Sequence, residues 1–147
     1  MPAPKPAEGP WEVFAECADW LLVIGGHAVQ SYGMDRLTYD CDCAVLDRNE
    51  ETLKAKLASI GYVLNDRQAH FSRYVHLGRQ RAVVDVMRLD AKTFALLSTG
   101  ARETQIGEKC VRVPRAFHLL AMKLHALKQN PERAHKDWAD ICHLLDF

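Results

Sequence analysis

The chain has 147 residues, 48% of them hydrophobic and 26% charged, enough to bury one core and too few for a separate ligand-binding domain. Its 19 basic residues balance 19 acidic ones, which disfavours a general polyanion binder. The longest apolar run, Trp20 to Ile24, is far short of the ~20 residues that span a bilayer, so no transmembrane helix and no membrane partner is expected. Residues 1–10 hold four prolines and no apolar stretch, and read as a frayed tail before one domain over 11–147. Five cysteines in irregular spacing, without a CxxC pair, favour a reducing cytoplasm over a disulfide framework.

A first helix is expected at Trp11–Asp19, with Val13, Phe14, Cys17 and Leu21 at helical spacing. Leu21–Ile24 reads as a buried strand stopped by Gly25-Gly26, and a short helix through Ala28, Val29 and Tyr32 then ends at Gly33. Tyr39–Leu46 is the second strand. Asp47 and Glu50 have capping-box spacing before a helix striped by Leu53, Leu57 and Ile60 and closed by Gly61. Strands follow at His70–Leu77 and Arg81–Met87, with a turn at Gly78-Arg79 between them. Asp90 is placed to cap a helix carrying Phe94 and Leu97. After an extended piece at Val111–Val113, Pro114 marks a helix start. Phe117, Leu120, Ala121, Leu124 and Leu127 make one apolar face of that helix, and Ala134, Trp138, Ile141 and Leu145 stripe the last one. The expected fold is α/β (α+β): a small mixed sheet flanked by helices, with a C-terminal helical pair.

Chemistry concentrates in Val23-Ile24-Gly25-Gly26 and Asp40-Cys41-Asp42-Cys43. Strand alternation puts Asp40 and Asp42 on one face and Cys41, Cys43 and Val45 on the other. Cysteine is among the most buried residue types, so the cysteine face is the expected core side, and the carboxylates point together toward solvent or a cleft. A divalent cation would relieve their repulsion, and hard oxygen ligands suit magnesium or manganese. Asp85 interrupts an otherwise apolar strand, so it either has an Arg or Lys partner or lines a cleft. Beside the Asp40–Asp42 strand it would complete a carboxylate trio for one or two metals, a phosphoryl-transfer layout. Glycines between strand and helix let backbone N–H groups approach a phosphate. A zinc site is disfavoured, because no Cys or His pair completes a usual spacing around Cys41 and Cys43.

Gly25-Gly26-His27-Ala28, followed by Arg36-Leu37-Thr38-Tyr39-Asp40-Cys41-Asp42, resembles the signature of the nucleotidyltransferase superfamily with the DNA-polymerase-beta-like fold. The string is similar to AbiEii-type toxin and other minimal bacterial members, and to small antibiotic adenylyltransferases. Lys123–Leu127 and Lys136–Asp140 look like the closing helices of those proteins. The resemblance implies transfer of a nucleoside monophosphate from a nucleoside triphosphate to an acceptor, with magnesium or manganese as cofactor. It places Asp40, Asp42 and Asp85 as metal-binding and catalytic residues, with Asp85 taking the acceptor proton, and Gly25 and Gly26 on the triphosphate. Many members carry serine at the second glycine position; Gly26 offers no hydroxyl, so phosphate binding would rest on backbone donors. Arg36, Thr38, Lys123 and Asp137 are the further candidates for nucleotide contact. Lys136 and Asp140, four apart, read as a helix surface pair. The acceptor stays open between RNA, protein and a small molecule. So does a second reading, a catalytically inactive nucleotide- or partner-binding module of the same fold, for example part of a toxin–antitoxin system.

Overall fold

Four fully apolar residues begin the sheet, because a strand flanked on both sides by neighbours or helices has no face to give to solvent. The structure, a computed structural model, describes residues 9–35 and 37–147, so the expected tail through residue 8 and Arg36 lie outside the described residues. Helix α1 (Trp11–Glu16) leads into β1 (Leu21–Ile24), and the short α2 (Gly25–Gln30) follows at once. Then come β2 (Cys41–Leu46), α3 (Glu50–Ala58), β3 (Tyr62–Arg67), β4 (Phe71–His76), β5 (Val83–Leu89) and α4 (Ala91–Ser98). A hairpin of β6 (Arg102–Ile106) and β7 (Lys109–Val113) precedes the closing helices α5 (Ala116–Gln129) and α6 (Ala134–Leu144).

The main sheet has the order β1-β2-β5-β4-β3, and β6 and β7 form a second, two-stranded sheet. All pairs in the main sheet are antiparallel except β2 with β5, which run parallel with Asp42 opposite Asp85. This is the expected mixed sheet with a C-terminal helical pair. One sheet face carries Val23, Cys43, Val86 and Tyr74, all buried in the main core with Phe14, Leu53 and Leu57. On the other face Leu22 packs with Phe94 and Leu97, and Leu46, Leu89 and Met122 lie against them. One row of that second face, Ile24, Asp42, Asp85 and Arg73 in register, lines a cavity.

Several elements differ from expectation. Strand β2 begins at Cys41, since pairing with β1 ends at Ile24–Asp42, where the chain turns away at Gly25. Strand β5 begins at Val83 because Arg81 takes a left-handed backbone with φ 68°. Strands β3 and β6 were not expected; both are largely polar, as edge strands with an exposed face are. Asp90 does cap α4, accepting from the Thr93 N–H at 2.7 Å. The Asp47–Glu50 capping box does not form: α3 has no side-chain cap, and Glu50 is buried against Arg88 instead.

The closing helices turn only part of their expected apolar faces inward: Ile141 is buried and Leu120 packs against the core, but the rest differs. In α5, Ala116, His118 and Leu119 are buried, while Phe117 is 65% and Leu124 48% exposed. In α6 the inward face is Asp137, Asp140, Ile141 and Leu144, and Trp138 is 61% exposed. The reason is electrostatic: each helix puts charged groups inward, where they neutralise one another.

Candidate active site

The chain leaves β1 through Gly25 at φ 68°, a backbone that L side chains rarely adopt. Proximity forbids a side chain as well: a Cβ on Gly25 would stand 2.0 Å from Oδ2 of Asp42. Glycine here lets the turn press its backbone against the carboxylate. Gly25→Ala is therefore expected to destabilise the fold by ~1–3 kcal/mol and to displace Asp42, a loss readable in a thermal melt. Gly26 is buried, and its Cβ would meet Thr38 Oγ1 at 2.6 Å, so the Thr38 side chain packs directly onto the diglycine.

A cavity of about 630 Å³ opens over this corner. Gly25, Gly26, Thr38, Asp40, Asp42, Asp85, Lys123 and Asp137 all line it, so the described candidates meet in one place. Asp42 and Asp85 sit opposite each other on adjacent strands, while Asp40 is exposed just before β2. Burial first, and then the charges of Asp85 and Asp40, push the Asp42 carboxyl up to about 7. Burial first, then Asp42 and Asp40, likewise push the Cys41 thiol up to about 12, an inert buried thiol on the core face.

Asp85 has both of the properties that its strand position left open. It lines the cleft, and it has a partner: Arg73 Nε donates to Oδ1 at 2.8 Å and Nη2 to Oδ2 at 3.1 Å. Each carboxylate oxygen keeps a second lone pair, so the pairing leaves Asp85 able to accept a proton or a cation. As they stand, no three carboxylate, imidazole or thiolate groups among the described residues are gathered tightly enough to enclose a metal ion. The donor set still fits a hard divalent cation, because Asp42 and Asp85 present oxygen ligands across one register pair and the repulsion of Asp42 by Asp85 and Asp40 is only partly offset by Lys123 and Arg133.

The opposite wall comes from the helical pair. Lys123 is half-buried, its Nζ 3.2 Å from Asp137 Oδ1 and 3.0 Å from Asp140 Oδ2. Arg133 Nε donates to Asp137 Oδ2 at 3.0 Å. Burial works to raise the Asp137 carboxyl, but the hydrogen bond from Arg133 and the charge of Lys123 outweigh it and hold it below the usual carboxylate range. Asp140 is 1% exposed and held by Lys123, so it is not the surface residue its spacing from Lys136 suggested. Arg73, Arg133 and Asp140 were missed in the sequence. Arg133 stands four residues before Asp137, a helix spacing that could have found it, whereas the roles of Arg73 and Asp140 depend on which strand or helix lies alongside.

A mixed sheet with a strand–diglycine–helix corner, an acidic pair on adjacent strands and a closing helical pair is the nucleotidyltransferase fold. The chain is similar to the solved structure of ANT(2")-Ia in complex with adenylyl-2"-tobramycin, at TM-score 0.71 and 14% identity, over 90% of this chain and 82% of that one. It is also similar to the lincosamide antibiotic adenylyltransferase LnuA bound to lincomycin, at TM-score 0.59 and 15% identity, over 84% of each chain. An antigenic nucleotidyltransferase-like protein from Paracoccidioides brasiliensis matches at TM-score 0.60 and 16% identity, over 98% of this chain and 78% of that one. No protein-family model and no curated protein sequence matches.

Proposed function

We propose that the protein is a magnesium-dependent nucleotidyltransferase, which moves a nucleoside monophosphate from a nucleoside triphosphate to an acceptor hydroxyl. The observation that carries this is the Asp42–Asp85 register pair, open to a cavity and pressed against the backbone of Gly25. The nucleotidyltransferase fold supports it. Asp40, Asp42 and Asp85 would hold the metal; when bound, magnesium or manganese supplies positive charge to the phosphates. The N–H groups of Gly25 and Gly26, with the Thr38 hydroxyl, would bind the triphosphate from one side, and Lys123, steadied by Asp137, from the other. Arg36 belongs to the same set. Asp85 takes the acceptor proton while Arg73 keeps its carboxylate oriented. The acceptor oxygen bonds to the α-phosphorus, the bond from that phosphorus to the bridging oxygen breaks, and pyrophosphate leaves with the electron pair.

The adenylyl-2"-tobramycin and lincomycin bound in two structural neighbours bring small-molecule acceptors into this proposal beside RNA and protein. Among the described residues no helix is long and apolar enough to cross a membrane. A cytoplasmic setting, whether in resistance or in a toxin–antitoxin pair, belongs to the same proposal. No specific observation favours the inactive binding module. The test is calorimetry of the metal-free protein with magnesium and each nucleoside triphosphate in turn. One triphosphate is expected to bind in the range ~1 μM–1 mM, and only with metal present. A folded protein that binds none of them is not a nucleotidyltransferase.

A further inference from the structure

The order of the strands divides the cavity into two ends. Gly25 and Gly26 follow β1 at one end; Asp42 on β2 and Asp85 on β5 come next, and Arg73 and Phe71 on β4 stand farthest away. Neighbouring strands lie ~4.8 Å apart, so β4 is about 14 Å from β1, which leaves room beyond phosphates seated at the diglycine. With the phosphates at the diglycine and the proton acceptor at Asp85, the acceptor has to lie over β5 and β4.

The wall there is made of few groups. Phe71 and Met87 are opposite each other across β4 and β5, both half-buried and both lining the cavity. They sit one side-chain row below the Arg73–Asp85 pair on the same face. The only carboxylate that β4 and β5 contribute to the lining is Asp85, and Arg73 already neutralises it through two hydrogen bonds. A polycationic sugar arriving here meets a guanidinium, a phenyl ring and a thioether; of the other lining acids, Asp137 is held by Lys123 and Arg133, and Asp40 and Asp42 are taken by the proposed metal. An alcohol with an apolar substituent meets a surface for that substituent beside a base for its hydroxyl. Among the described residues the lining of the whole cavity balances four cationic side chains against four anionic ones, which gives no field to gather RNA.

We infer that the acceptor is a small uncharged alcohol bearing an aromatic or alkyl group, and that Phe71 and Met87 select it. This rests on the nucleotidyltransferase reading, which is tested first and separately. Magnesium is titrated with the α,β-methylene analogues of ATP, GTP, CTP and UTP, whose methylene bridge blocks transfer. If no analogue binds, the functional reading falls, and the acceptor inference falls with it. With an analogue bound, phenyl β-glucoside, hexyl β-glucoside and tobramycin are titrated into the complex. At least one neutral glucoside is expected to bind and tobramycin to give no heat. Phe71→Ser and Met87→Ser, each confirmed folded by its melt, are expected to weaken the glucoside tenfold or more while moving the analogue's Kd less than twofold. Two variants are used so that the loss of fold in one leaves the other decisive. The inference is overturned if tobramycin binds, if neither glucoside binds to a complex that holds the analogue, if the folded variants bind glucoside as tightly as the unsubstituted protein, or if labelled triphosphate is transferred to total RNA.

Discussion

Asp42→Asn is expected to reduce transfer about 10³-fold or more and, in the same protein without metal, to raise Tm. The two effects have one cause. The Asp42 carboxyl is pushed up to about 7 by burial and then by Asp85 and Asp40, whereas in the unfolded chain it returns to its ordinary value near 3.8. Between those limits the folded state holds a proton that the unfolded state has released. Stability from this group is therefore lost as pH rises from about 4 to about 7. Asparagine has no charge to desolvate, so its advantage over the native protein should be near zero at pH 4 and full above pH 7. One pKa unit corresponds to ~1.4 kcal/mol, enough to shift Tm by several degrees. Saturating magnesium should reverse the order, because only the carboxylate gains from the cation.

Asp85→Asn should also abolish transfer, but with the opposite sign in the melt. Its carboxylate holds Arg73, and removing the charge loses that pair. Arg73 is 43% exposed, so water screens the interaction and the expected cost is only ~1 kcal/mol. Thermal melts of both variants across pH, with and without magnesium, check the contrast. An Asp42→Asn protein that melts lower than the native one without metal would show that Asp42 is neutralised by a protein cation, and the metal assignment would fail.

How far the site was legible follows from the range of the forces that built it. The alternation Asp40-Cys41-Asp42-Cys43 is local, and the side of the sheet that Asp42, Cys41 and Cys43 each face follows from the strand period alone. Gly25 was legible because a strand that ends on glycine announces a backbone no other residue takes easily. Asp85 stood out as a charge in an apolar strand. Its parallel pairing with β2 joins segments about forty residues apart, and no local pattern sets that register. Arg73 was hidden for the same reason, since only the antiparallel pairing of β4 with β5 makes it the partner of Asp85. The faces of α5 and α6 were misread because apolar periodicity assumes an oily interior. Here the helices close over a polar cavity, so Asp137 and Asp140 turn inward with Lys123 and Arg133 to balance them, and Phe117 and Trp138 are left outside.

Glu50 shows a motif misread in the other direction, and its replacement is expected to have the largest effect on stability. On the sheet face away from the cavity, Arg88 is buried beside Ser72, and its guanidinium needs an anion. Glu50 supplies it: Arg88 Nη1 donates to Oε2 at 3.0 Å, the Ser72 hydroxyl donates to the same oxygen at 3.0 Å, and Arg67 binds the other oxygen. Burial works to raise the Glu50 carboxyl, but the hydrogen bonds from Arg88, Ser72 and Arg67 outweigh it and hold it below its ordinary value. A depressed carboxyl stabilises the fold at any pH above its unfolded value near 4.5, and this contribution is lost as pH falls through the folded value. Glu50→Gln leaves buried Arg88 with only Asp47, 3.8 Å away and 68% exposed, as its counter-charge, at a cost of ~3 kcal/mol. Tm at pH 7 should fall by roughly 10 °C or more, and the variant should lose part of the native protein's acid sensitivity below pH 4.5. Replacing both members, Glu50→Leu with Arg88→Met, should recover most of the loss, because the buried charge leaves together with its partner. At temperatures where the single variant is folded, its affinity for the magnesium–triphosphate complex should match the native protein, since this cluster lies across the sheet from Asp42. A double variant as unstable as Glu50→Gln would mean that the packing of these side chains, rather than their charge, holds α3 to the sheet.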